Sequence, residues 1–558
     1  MAEGAGRTAY GLKLLWDERD VDEVDFIVVG AGSSGCVLAA RLSEDAGSKV
    51  VLVEAGGHHD HTMIDMPLAW MTASMMPQFN WQYMTEPEPF LDNRSLPFPR
   101  GKLLGGCSSV NGTMYIRGAA ADYDGWRDAG LAGWGYADVL PYFKRAESNW
   151  RGEGPEHGGS GPLAVSPLTA DPLLTPTFRR AATQLGYAEA EDFNIARPEG
   201  FGLPDVSVSK GRRHSTARAY LDPAKNRPNL RVETDALVTR VLIEDGRARG
   251  IEIRRGDALH RIYCHREVIL CGGAFNSPHL LMLSGVGPAA QLRDHGIEVL
   301  ADLPGVGSNL QDHAMALSIY AANGPITFDS QLRLDRLARA VIEWQLFGTG
   351  NCNYSPLSIQ GFLRSTPDQA RPDLQMQVSH TSFLARPWFP GWRKGAGHQF
   401  TAGALLLNPE STGTVSLRSA DPTEKPAVLT NFLKEESDRV RLREAVRIIR
   451  RFFATPAASA LVQAELAPGP QADDDDAIDA WNRSMVMSGG HPTSTCAMGN
   501  GPNAVVDGEL RVRGIAGLRV ADASVMPDVI RGNTNAPCIM IAEKASDMIR
   551  GLAPLSAA

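Results

Sequence analysis

The stretch Asp25–Glu54, DFIVVGAGSSGCVLAARLSEDAGSKVVLVE, decides the fold. Phe26 to Val29 read as a buried parallel strand, and the turn Gly30-Ala31-Gly32-Ser33-Ser34-Gly35 sends it into a helix. Cys36 to Leu42 supply the helix's apolar face, Val50 to Val53 form the next strand, and Glu54 and Ala55 close it. Gly30 permits the tight turn, Gly32 lets a pyrophosphate approach the backbone, and Gly35 lets helix and strand pack closely. The helix N-terminus, with Ser33 and Ser34, offers N–H groups and a positive dipole end to phosphates. Glu54 is placed to accept hydrogen bonds from an adenosine ribose. Read alone, the unit suits NAD as well as FAD.

A chain of 558 residues has room for two sizeable cores. Hydrophobic and charged fractions of 43% and 21% are those of a soluble globular protein, and a net charge of −9 gives nucleic acid no hold. The Arg-rich run Arg439–Arg451 carries apolar residues at helical spacing, so it reads as an ordinary amphipathic helix. Cys36, Cys107, Cys264, Cys271, Cys352, Cys496 and Cys538 form no CxxC pair. Reduced, mostly buried thiols and a cytoplasmic location are therefore expected, with no metal site. The first residues, including Leu12–Trp16, lack the apolar core of a signal peptide. No apolar run approaches the ~20 residues of a membrane span, which leaves only peripheral contact through an exposed loop open. Oligomeric state is not legible.

Past Gly57 the pattern becomes irregular. Residues 58–100 read as an excursion over the site, where Met71, Met75, Met76, Phe79, Trp81 and Tyr83 suit a pocket wall or an apolar interdomain seam equally. His58-His59-Asp60-His61 reads as a surface loop, because adjacent ligands diverge. Strands are expected over 230–234, 238–244, 249–254, 261–263, 267–271 and 517–520, with a closing helix over 536–550. In the middle region, strands over 375–379, 403–408 and 413–417 and a helix over 437–454 have a different character. The pattern predicts an α/β fold, with a discontinuous Rossmann-like nucleotide domain in residues 20–160, 206–319 and 481–558. An inserted α+β substrate domain on an antiparallel sheet takes residues 320–480, with an excursion over 161–205.

Several motifs together resemble the glucose-methanol-choline (GMC) family of FAD-dependent alcohol oxidoreductases, in its choline-dehydrogenase-like and alcohol-dehydrogenase-like branches. They are GKLLGGCSSVNG (residues 101–112), GGAFNSP (272–278), GSNLQDH (307–313), GGHPTSTCAMG (489–499), DASVMP (522–527) and GNTNAP (532–537). The resemblance implies FAD between the two domains. Glu54 would hold the ribose, and Gly105, Gly106, Ser109, Asn111 and Gly112 the flavin and pyrophosphate. Val238 would face adenine, while Gly272, Asp522, Ala523, Asn533 and Thr534 would complete the cradle. Relatives that tether FAD use a histidine where Val110 stands, so noncovalent FAD is expected. His313 reads as structural.

His491 matches the family's catalytic base, and a histidine suits the task because its pKa lies near operating pH. Asn533 holds the second position. The resemblance implies that His491 takes the alcohol proton, Asn533 orients the oxygen and hydride passes to flavin N5, giving an aldehyde. Choline-specific relatives carry a glutamate where Ser358 stands, which removes the partner of a trimethylammonium. With Tyr354, Phe362, Phe383 and Trp388 as pocket candidates, the substrate expected is an uncharged aromatic or hydrophobic primary alcohol. The electron acceptor is a quinone, another carrier or O₂. A dehydrogenase is the leading expectation, and a peroxide-producing alcohol oxidase is the alternative. More distant rivals are a flavin-dependent lyase or decarboxylase and a flavoprotein that binds without turnover.

Overall fold

The computed structural model describes residues 22–558, so the reading of Leu12–Trp16 lies outside the described residues. In chain order, the nucleotide unit forms β1 (Asp22–Val29), α1 (Ser33–Leu42) and β2 (Val50–Val53). Helix α2 (Tyr136–Ala146) and the short strand β3 (Gly200–Gly202) follow. Four strands come next: β4 (Leu230–Glu233), β5 (Leu237–Glu244), β6 (Arg247–Arg255) and β7 (Ala258–Leu270). Helix α3 (Gly273–Leu283) leads to β8 (Ala314–Ala322), and α4 (Leu334–Phe347) to β9 (Leu357–Leu363). Strands β10 (Leu374–Ser379) and β11 (Gln399–Leu406) precede α5 (Glu436–Ala454). The chain closes with β12 (Val462–Ala467), β13 (Met487–Ser488), β14 (Leu518–Val520) and α6 (Asn535–Arg550).

The first seven-stranded sheet has the order β4-β2-β1-β7-β6-β5, with β14 also on β7. Its β4, β2, β1, β7 and β14 pairings are parallel, and β5 and β6 join antiparallel. A parallel sheet is covered on both faces, which is why all four residues of β2 are buried and Val268, Ile269 and Leu270 have no exposure. Val29 pairs with both Val53 and Leu270, and Leu270 with Val520, so the strands end level. Ligands of open parallel sheets bind off such a C-terminal edge. A Cβ on Gly35 would lie 1.9 Å from the Gly30 carbonyl oxygen, so only glycine lets α1 leave β1 this tightly.

The second seven-stranded sheet, β12-β8-β11-β10-β9-β3 with β13 on β8, is antiparallel throughout. Alternation along each strand sorts its two faces. Ala316, Tyr320, Met376, Val378, Ala402 and Ala404 pack with Leu442, Val446, Ile449 and Phe453 of α5. The intervening Met315, Leu317, Ile319, Gln377, Ser379 and Thr401 face a cavity instead. The architecture is thus a discontinuous α/β Rossmann-like domain with an inserted sheet-based substrate domain. Among the described residues, no helix is long and apolar enough to cross a membrane.

Candidate active site

A cavity of about 1620 Å³ runs from the C-terminal edge of the parallel sheet to the inner face of the antiparallel one. Single-ligand pockets are usually about 300–1,000 Å³, so this one has room for a dinucleotide and a second molecule. At the nucleotide end its wall includes Gly30, Gly32, Ser33, Ser34, Glu54 and Ala55. The Glu54 carboxylate accepts the Ala31 and Gly56 N–H groups at 2.8 and 2.9 Å, and burial pushes its pKa up to about 7. No side chain caps the α1 N-terminus. The Ser33 and Ser34 hydroxyls instead donate to Asn535 Oδ1 and the Cys538 carbonyl, which joins the α1 and α6 N-termini.

Gly106, Asn111, Gly112, Val238, Gly272, Asp522, Ala523 and Thr534 also reach the cavity. Asp522 accepts from Gly273 N–H and Ser277 Oγ through one oxygen and from Ser524 N–H and Oγ through the other. A Cβ on Gly106 would come within 2.7 Å of Gly32 Cα, so the second glycine segment lies directly on the first. Gly35, Gly105 and Ser109 do not line the wall. They work from behind it: Gly35 packs on Gly30, and Ser109 Oγ donates to the Leu104 carbonyl 2.8 Å away. The uncapped helix end, the bare Gly32 backbone and the closely stacked glycine loops fit the pyrophosphate of FAD.

His491 sits at the opposite end, held by its backbone. Its N–H donates to Asp312 Oδ1 at 2.7 Å, Gly489 N–H donates to the His313 carbonyl, and Thr493 pairs with Gln311. The Arg100 guanidinium grips the Gly490 carbonyl at 2.9 Å. Asn533 Nδ2 lies 3.0 Å from His491 Nε2, and Gln375 Nε2 donates to Asn533 Oδ1 at 3.2 Å. With the amides so placed, Nε2 is the acceptor and the ring proton resides on Nδ1, 3.0 Å from His313 Nδ1. Burial, reinforced by His313 and Arg100, holds His491 well below the ordinary histidine pKa. It is therefore a neutral imidazole with a lone pair beside Asn533. Burial likewise lowers His313 to about 4 and raises Asp312 to about 6.

Four pocket candidates fall elsewhere. Ser358 occupies an irregularity in β9, wholly buried, with Oγ 2.8 Å from His380 Nδ1. Phe362 is on the inner face, but Phe193 covers it with ring centroids 5.2 Å apart. Tyr354 lies behind the wall formed by Ser355–Leu357, its hydroxyl 3.3 Å from Asn351 Oδ1. Trp388 pins its loop by donating Nε1–H to the Asp329 carbonyl. Phe383 does reach the cavity. Of the excursion residues, Met71, Met75, Trp81 and Tyr83 line it, while Phe79 packs in a small core with Ile64 and Val110, so both expectations apply in part. The His58–His61 run is a surface loop as expected, with His58, Asp60 and His61 exposed, but it is anchored. His59 is buried with Nε2 3.2 Å from Asp222, and His61 accepts the Met63 N–H. Sequence reasoning missed the direct contact of His313 with His491, and the roles of Asp312, Gln375 and Asn535. The GSNLQDH segment was visible, but nothing in it told which side chain would meet His491.

Models of the GMC oxidoreductase family match residues 24–315 and 409–542. The chain belongs to the GMC oxidoreductase family. It is 42% identical over 536 residues to the oxygen-dependent choline dehydrogenase of Brucella anthropi, covering 96% of this chain and 97% of that one. It is 44% identical over 539 residues to the mitochondrial choline dehydrogenase of Mus musculus, covering 95% and 90%. Pyridoxine 4-oxidase from Mesorbium loti has a similar structure, with a TM-score of 0.84, 29% identity, and 95% and 100% of the two chains covered. This GMC enzyme is an FAD-dependent oxidoreductase of an alcohol-type substrate.

Proposed function

We propose that the enzyme oxidises an uncharged, apolar primary alcohol to its aldehyde and returns the electrons to O₂, releasing hydrogen peroxide. The observation that carries the substrate class is the charge of the cavity wall. Its acidic residues are Glu54, Asp522 and Glu424. The first two are tied into the nucleotide turns, and Glu424 is held in its own loop, where it accepts from Ser419 Oγ at 2.7 Å. Away from the nucleotide turns the wall carries Met315, Leu317, Ile319, Leu357, Phe383 and Leu405 beside the polar Gln377, Thr401 and Asn533, with no described carboxylate among them to pair with a quaternary ammonium. Ser358 is buried and does not face the cavity. The use of O₂, in place of the dehydrogenase expected from sequence, is supported by the oxygen-dependent and oxidase relatives.

FAD, when bound, supplies the hydride acceptor. The neutral His491 Nε2 accepts the hydroxyl proton, and Asn533 Nδ2, which faces that lone pair, donates to the substrate oxygen. Gln375 fixes the Asn533 amide, and the apolar wall excludes water from the carbon that loses hydride. We further read the FAD as noncovalent, because Val110, buried on the cavity wall, has no nucleophilic atom. We assign residues 20–160, 206–319 and 481–558 to FAD and 161–205 and 320–480 to substrate, except that β8 (Ala314–Ala322) and β13 (Met487–Ser488), which pair within the antiparallel sheet, go with the substrate part.

Anaerobic mixing of the holoenzyme with benzyl alcohol, 1-octanol and choline tests the reading. The apolar alcohols should bleach the flavin absorbance and choline should not. Readmitted air should restore the absorbance within seconds with stoichiometric peroxide. Bleaching by choline alone would refute the substrate class, and reoxidation only with an added quinone would restore the dehydrogenase reading.

A further inference from the structure

Helix α4 is unusual in what it shows to solvent. Its inner face supplies Leu337 and Val341 to the cavity wall and buries Trp344. Its outer face carries Ile342 and Leu346, which lie one turn apart and are 60% and 70% exposed, followed by Phe347 at 73%. The neighbouring loop, residues 382–394, is bound to the start of α4 by the Leu334 N–H to Trp388 carbonyl and Trp388 N–H to Leu332 carbonyl bonds. That loop exposes Leu384, Phe389 and Trp392, and its Leu384 and Arg386 also line the cavity. Isolated exposed apolar residues need no explanation; six of them on one helix and the loop bonded to it, beside residues of the cavity wall, mark a contact surface.

Charge selects the partner. The helix and loop carry Arg333, Arg336, Arg339, Arg386, Arg393 and Lys394, against the exposed acids Asp335 and Glu343, in a protein whose net charge is −9. Arg333 and Asp335 pair at 2.6 Å and cancel, which leaves five cations against Glu343. Arg393 lies over the Trp392 ring, 4.4 Å from its centroid, so cation and aromatic ring are presented together. Apolar side chains flanked by Arg and Lys suit a surface with an acyl interior and anionic headgroups. A second copy of the chain suits it poorly, because a two-fold contact would set this basic patch against itself.

We propose that α4 and the 382–394 loop form a docking surface for anionic lipid membranes, which places the cavity mouth at the lipid boundary. An alcohol dissolved in the membrane then enters between Leu337, Val341 and Leu384 without crossing bulk water. The docking itself is independent of the reaction proposed above.

Flotation of the holoenzyme with phosphatidylcholine vesicles, alone or mixed with phosphatidylglycerol, tests the surface without any turnover. Binding is expected to the mixed vesicles only, and to weaken with salt. The Arg393→Gln/Lys394→Gln variant should lose roughly fivefold in affinity per charge removed. The Ile342→Ser/Leu346→Ser variant should also lose binding, with FAD absorbance and melting temperature unchanged in both. Failure to bind mixed vesicles, equal binding to neutral ones, or full binding by both variants would overturn the proposal. So would a dimer in light scattering that dissociates in the Ile342→Ser/Leu346→Ser variant, because the patch would then belong to a second copy.

Discussion

At the scale of single residues, the site depends on which nitrogen of His491 holds its proton. Asn533 needs an acceptor at Nε2, so the other nitrogen must find an acceptor of its own, and His313 provides it. His313 is thus a positioning residue, buried without exposure, that acts through His491. Replacing His491 with Ala should slow anaerobic flavin reduction about 10²–10⁴-fold while FAD stays bound. His313→Leu should slow it about tenfold or more, and His313→Gln, which keeps an acceptor, should recover part of the loss. The pH profile separates positioning from packing. His491 must be neutral to accept a proton, and its pKa lies below 6.5 in the folded protein, so the base form survives as pH falls through 6.5. The acid limb of kcat/KM should therefore appear only below 6.5. Because His313 is one cause of the depression, its removal should move that limb upward. An unmoved limb in His313→Leu would leave His313 a packing role alone.

At the scale of elements, the site depends on where helices begin. Helices α1 and α6 meet at their N-termini, and their bodies are bolted together through Glu543. That carboxylate has no exposure, yet receives Arg41 from α1 and Arg145 from α2, each at 2.8 Å, and the Tyr220 hydroxyl at 2.8 Å. Removing Glu543 takes away the shared partner, while Arg41 keeps Glu44 at 2.8 Å and Arg145 keeps Asp547 at 2.9 Å. Glu543→Ala should cost about 1.5–3 kcal/mol, the loss of charge-assisted hydrogen bonds, read as a lower melting temperature and faster release of FAD. Wild-type stability in this variant would mean that Glu44 and Asp547 suffice for the two arginines. Nothing in the sequence near Glu543 announces this cluster, because its partners come from residues 41, 145 and 220. The contrast with β1–α1–β2 is instructive. That unit was legible because strand, turn, helix and acid are local, each with its own spacing. Strands β4 to β7 and helix α5 were legible through periodicity for the same reason. The pocket wall was not: aromatic residues near residues 354–388 attracted the reading, whereas strand alternation gave the wall to Met315, Leu317 and Gln377. Phe362 shows how this happens, since it has the right face of the right strand but Phe193 stands in front of it.

At the scale of the whole molecule, the cavity is the seam between two separately cored lobes. One core is built on the parallel sheet and the other on the antiparallel sheet with α5. The walls they share are polar backbone and glycine at one end and side chains at the other, so a bound dinucleotide replaces missing core along the seam. Ligand that binds only the folded state stabilises it by about 2.7 kcal/mol at a hundredfold excess over Kd. If FAD is held without a covalent bond at Val110, dialysis against a mild chaotrope should release it and leave a folded apoprotein with a lower melting temperature. Readdition should restore the melting temperature in proportion to the logarithm of FAD concentration. Hydrogen exchange should locate the loss at residues 30–35, 105–112, 272–277 and 522–524, while β8 to β11 keep their protection, because their contacts with α5 do not involve the cofactor. Flavin that stays with acid-precipitated protein would refute the noncovalent reading. Equal loss of protection in both sheets would refute the independence of the two cores.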